Sequence, residues 1–108
     1  MTDRELLELA AKAAGIEGYW VEGFGYRVET LSGHYFWNPL TDDGEALRLA
    51  VGLGIQVGPN PASREPMCFA WPRQQGVAAQ YETYGDDPYA ATRRAIVRVA
   101  AEIGKGMK

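Results

Sequence analysis

Between Tyr19 and Trp37 the apolar residues recur every second position, while on either side of that stretch they recur every three or four. A period of two belongs to strands with one face buried, and a period near 3.6 to amphipathic helices. The chain therefore has to place a compact run of strands between helices rather than alternate the two regularly, which points to an α+β fold.

The strand stretch is broken at Gly23-Phe24-Gly25 and at Ser32-Gly33. Breaks this short, with glycine supplying the unusual backbone angles, act as hairpin turns. The expected strands are Tyr19–Glu22, Tyr26–Thr30 and His34–Trp37.

Before them, Thr2-x-x-Glu5 has capping-box spacing and opens a helix from Asp3 to Ala14 that Gly15 ends. After them, Asn38-Pro39 stops the third strand, because proline lacks the ladder amide and restricts its predecessor. Asp42-x-x-Glu45 then opens a second helix, apolar on nearly every side and so expected to be largely buried. The segment Gly58–Pro66 holds three of the six prolines and reads as a loop. Met67–Trp71 and Val77–Tyr84 alternate again around Pro72–Gly76, as a second hairpin. Asp87-Pro88 gives the last helix an N-cap and a first-turn proline. Its apolar stripe is Tyr89, Ile96, Val99, Ala100 and Ile103, and Gly104 and Gly106 are expected to let its end fray.

The predicted order is α-β-β-β-α-β-β-α, with an antiparallel sheet of about five strands carrying three helices mainly on one face. At 108 residues the chain fits one domain, residues 1–108, with one core. A lone cysteine, Cys68, permits no internal disulfide, and the charged start Met-Thr-Asp-Arg-Glu lacks the apolar run of a signal peptide. No apolar run approaches the length that crosses a bilayer, so no membrane association and a cytoplasmic location are expected.

Signatures of chemistry are sparse. A nucleophilic pair would need His34 to activate Cys68, but Met-Cys-Phe-Ala-Trp reads as a buried strand in which a cysteine behaves as a small hydrophobe. His34, Asp42, Asp43, Asp86, Asp87 and Cys68 could ligate a metal, yet their spacing follows no ligand pattern and the aspartate pairs are explained as helix caps. Gly52-x-Gly54 follows a helix instead of a strand, which is the wrong context for a dinucleotide loop. No catalytic residue, metal or cofactor is assigned.

Two features remain. Arg93, Arg94 and Arg98 give the last helix a basic side, which Arg64 and Arg73 could extend toward phosphates, although the formal net charge of −3 does not favour nucleic acid. The larger feature is twelve aromatic residues, all between positions 19 and 89. One face of a small sheet holds only some of these rings, so the rest are either covered by loops or exposed for recognition, where tyrosine and tryptophan offer much area at low entropic cost. The candidate binding residues are Tyr35, Trp37, Trp71, Arg73, Tyr84, Arg94 and Arg98.

The segments Phe36-Trp37-Asn38-Pro39-Leu40-Thr41-Asp42-Asp43 and Asp87-Pro88-Tyr89-Ala90-Ala91-Thr92-Arg93-Arg94-Ala95-Ile96-Val97 resemble small proteins of tailed phages and prophages, similar in layout to the NinX-type phage family. The resemblance covers about two thirds of the chain in pattern and leaves Pro59–Arg73 unmatched. It implies a phage or prophage accessory protein working in a bacterial cytoplasm, and carries no catalytic residue with it. Three functions follow as expectations. The first is a non-enzymatic protein that binds a host or phage protein through its aromatic surface, of which antagonism of a bacterial defence system is one version. The second is a small-ligand or nucleotide binder, and the third a single-stranded nucleic-acid binder. A homo-oligomer is compatible with each.

Overall fold

The computed structural model describes residues 1–62 and 64–107. It contains α1 (Asp3–Ala14), β1 (Tyr19–Val21), β2 (Gly25–Thr30), β3 (Gly33–Trp37), α2 (Asp43–Leu53), β4 (Gln56–Asn60), β5 (Met67–Trp71), β6 (Gln80–Thr83) and α3 (Pro88–Lys105). The α+β class is as expected, but the strands form two antiparallel sheets of three, β1-β2-β3 and β4-β5-β6, instead of one sheet of about five.

Each helix starts where local chemistry dictates. The Thr2 hydroxyl accepts from the Glu5 amide at 3.2 Å while the Glu5 carboxylate accepts from the Thr2 amide at 3.3 Å, which satisfies two first-turn donors reciprocally. Asp42 accepts from Glu45 N at 2.8 Å, and Asp87 accepts from both Tyr89 N and Ala90 N. Gly15 and Gly54 close α1 and α2 in the left-handed conformation.

The core lies where α1 and α3 meet and beneath the two sheets. Asp3 pairs with Arg94, Leu9 abuts Gly104, and Lys12 Nζ donates to the Met107 carbonyl, so the two helices run side by side in the same direction. Gly104 is buried and a Cβ there would run into the Leu9 carbonyl. It is therefore a close-approach residue inside α3 and not a fraying one. The inner face of β1–β3 sets Tyr26, Val28 and Trp37 into the core, with the Tyr26 hydroxyl donating to the Ile16 carbonyl at 3.1 Å. Burial pushes the Tyr26 phenol up from its ordinary range. The inner face of β4–β6 sets Cys68 and Ala70 against α3.

Four further expectations change. Part of the proline-rich stretch is a strand: β4 pairs with β5 over Gln56–Asn60, opposite Trp71–Met67, with Pro59 opposite Cys68. An edge strand bonds on one side only, which is where a sheet accommodates proline. The hairpin to β6 pairs later than expected, from Gln80, leaving Val77–Ala79 in the connection. Finally, α2 is only half buried, with Leu47 and Val51 exposed, and Tyr89 of α3 points to solvent rather than joining the stripe. Among the described residues no helix is long and apolar enough to cross a membrane.

Candidate binding face

The seven residues singled out from the sequence do not converge. Trp37 is 2% exposed and packs edge-on against Tyr26 at 5.9 Å between ring centres, so its ring belongs mainly to the core, although it also forms part of the wall of the cleft that Tyr35 lines. Its alternation with Phe36 was legible, but which face would meet α1 was not. Tyr35 lies on the same inner face at the exposed rim of β3 and lines a cleft of about 390 Å³ with Ile16, Glu45, Arg48 and Leu53. Tyr84 is half-buried in a separate apolar groove of about 580 Å³ between α2, β4 and α3, together with Leu47, Val57, Tyr89 and Ile96.

The arginines of α3 are engaged. Arg98 pairs with Glu82 at 2.6 Å and donates to the Tyr81 carbonyl, and Arg94 pairs with Asp3 at 3.2 Å and lies 3.8 Å from Glu82. Arg93 bonds the Leu40 carbonyl at 2.8 Å and Asp43 at 2.6 Å. Arg73 is exposed in the β5–β6 connection, with its stem over Gly54. The sequence reading of α3 as a phosphate-tracking face thus meets side chains already neutralised by carboxylates.

Trp71 has the most informative position. Antiparallel register puts Gln56, Gly58 and Asn60 of β4, Met67, Phe69 and Trp71 of β5, and Tyr81 and Thr83 of β6 on the outer face of the second sheet. Phe69 stacks on Trp71 with ring centres 5.6 Å apart and planes 19° apart, and lies 6.0 Å from Tyr81. Trp71 and Tyr81 are 41% and 59% exposed. Gly58 creates the seat for the tryptophan, since a Cβ there would stand 2.7 Å from its ring. None of the eight side chains carries a formal charge at neutral pH. Phe69 and Tyr81 were missing from the sequence-derived set. Their i, i+2 and cross-strand relation to Trp71 is the signal that would have found them, and it needs the β5–β6 register.

The first sheet has a smaller aromatic cluster on its own outer face, where Phe24 stacks on Phe36 at 5.9 Å and His34 meets Phe36 edge-on at 5.7 Å. There the Tyr19 hydroxyl donates to Glu29 at 2.8 Å, which raises the tyrosine's pKa and holds the carboxyl below its usual range.

His34 and Cys68 are not partnered. His34 is exposed on the first sheet, whereas Cys68 is fully buried under the second, where desolvation raises its thiol pKa. Among the described residues no three His, Cys, Asp or Glu side chains gather closely enough to hold a metal ion. Comparison of the chain with known protein families, with curated proteins and with solved structures finds no match.

Proposed function

We propose that this chain is a non-catalytic accessory protein that binds another protein through the outer face of β4–β6, with Phe69, Trp71 and Tyr81 at its centre. The carrying observation is the contiguity of these three rings on an open, uncharged sheet face. Exposed aromatics matter for recognition when they are contiguous, and a half-buried tryptophan held rigid by its neighbours loses little entropy on binding. The lack of charge favours a protein over a nucleic acid, because strand-binding proteins add cations to their stacking platforms. Of the residues offered for a nucleotide site, Tyr35 and Trp37 share the 390 Å³ cleft, whereas Trp71, Arg73 and Arg94 do not line it, so this reading lacks its phosphate-binding arginine. The setting we propose, a phage or prophage protein in a bacterial cytoplasm, with antagonism of a defence system as one version, rests on the resemblance of its two helix-opening segments.

The test is capture of a partner from bacterial lysate, followed by measured affinities for three forms of the chain. Trp71→Ala should weaken binding about 30-fold, the effect of a central aromatic anchor worth about 2 kcal/mol. Gly58→Ala, which displaces the tryptophan ring without removing it, should weaken binding less while leaving the fold intact by circular dichroism. A partner retained equally by all three forms, or no reproducible partner, overturns the reading.

A further inference from the structure

The two sheets have four outer strands, and three of them are obstructed. β1 is three residues long and overlain by Arg4, whose guanidinium sits 5.8 Å from the Trp20 ring centre and pairs with Glu22 at 3.0 Å. β4 carries Pro59, and β6 has its Tyr81 carbonyl taken by Arg98. Short length, proline and covering charge are the usual means by which edges avoid pairing. β3, Gly33-His34-Tyr35-Phe36-Trp37, has none of them. Its register with β2 is continuous from Gly33 to Trp37, its first four residues are exposed, and no loop or turn backbone bonds to it among the described residues.

The direction of its free groups follows from the hairpin. The two-residue turn Leu31-Ser32 closes at Thr30 and Gly33, and the pair flanking such a turn exchanges its hydrogen bonds. By alternation Tyr35 and Trp37 also bond to β2, so His34 and Phe36 turn their N–H and C=O groups to the open edge.

We infer that β3 pairs antiparallel with β3 of a second copy about a two-fold axis at Tyr35, joining two three-stranded sheets into one of six strands. Centring on Tyr35 sets His34 of each copy opposite Phe36 of the other, and each of these pairs exchanges both its hydrogen bonds through the groups left free. On the outer face the imidazole–phenyl contact already made within the chain is repeated across the seam. On the inner face the two Tyr35 side chains meet as a close, non-bonded pair beside the 390 Å³ cleft. Its apolar wall of Ala14, Ile16 and Leu53 accepts a ring, and Glu45 and Arg48 at its margin offer partners to a phenolic hydroxyl. A strand without charge meets its own copy without repulsion. This pairing leaves the β4–β6 face open and does not depend on the role proposed for it.

Sedimentation of the full chain over a range of concentrations tests the inference. The wild type should show a reversible monomer–dimer equilibrium. Tyr35→Lys and Tyr35→Glu should each be monomeric, since like charges then stand directly opposite, and an equimolar mixture of the two should restore the dimer. Phe36→Pro removes one outward donor per copy and should weaken dimerisation at least tenfold, about 1.4 kcal/mol. Circular dichroism identifies any variant that fails to fold, and the mixture supplies its own control. A wild type that stays monomeric at every concentration overturns self-pairing, as does a dimer indifferent to all three substitutions. A monomeric wild type that instead adds extended peptides along β3 also overturns it, in favour of a foreign strand.

Discussion

At the scale of single residues, the bond between Tyr19 and Glu29 ties the short outer strand β1 to β2 from the solvent side. Its carboxylate is also approached by Arg27 at 2.7 Å. Since the folded pKa of Glu29 is depressed, its contribution to stability is present above the ordinary carboxylate range and is lost as pH falls through the lowered value. Because the Tyr19 pKa is raised, the donor persists past the usual tyrosine range at the alkaline end. Tyr19→Phe should therefore move the Glu29 titration upward toward its normal position when followed by carbon-detected NMR, and a Glu29 pKa unmoved by the substitution would show that Arg27 sets it instead. Capping residues such as Thr2 and Asp87 were fully legible in the sequence, because their partners lie within a few positions. Tyr19 with Glu29 was not, since the contact follows from strand register and not from spacing.

At the scale of elements, what could be read depended on whether an element's boundary is fixed locally. All three helices begin at their expected caps, and α1 also ends at its expected glycine, Gly15. β4 was missed because Gly58-Pro59 weakens any isolated strand, and only the neighbouring β5 supplies the ladder that compensates. The burial of α2 was overestimated for a similar reason. An all-round apolar helix is buried where structure exists on every side, and here Leu47 and Val51 face no covering element. For α3 the local argument makes a numerical prediction. Asp87 satisfies two orphan amides at 3.0 and 3.1 Å, so Asp87→Ala should cost about 1 kcal/mol and lower Tm by roughly 4 °C or more. Asp87→Asn, which keeps the acceptor, should recover most of that loss in the same thermal melt.

At the scale of the whole molecule, the first sheet packs mainly on α1, the second on α3, and the most extensive contact in the structure is the one between these two helices. The sequence indicated the segregation of strands and helices but not this division. A single sheet and two sheets give the same alternation, and the division shows only in the pairing, where β3 bonds to β2 and β4 to β5 but not to each other. The joint depends on one absent methyl group. In Gly104→Ala the new Cβ meets the Leu9 backbone, which cannot swing aside as a side chain would, so α1 and α3 must separate at a cost of about 1–3 kcal/mol. Gly52 is the matched control, because it lies inside α2 with open space around its missing Cβ. There the same substitution should stabilise by about 0.5–1 kcal/mol through helix propensity alone. If the α1–α3 contact couples the two halves, Gly104→Ala should also lower amide-exchange protection in β2 and in β5 together, although Gly104 lies in neither sheet. Loss confined to the last turn of α3 would mean instead that each sheet is held by its own helix, and that the joint adds little beyond proximity.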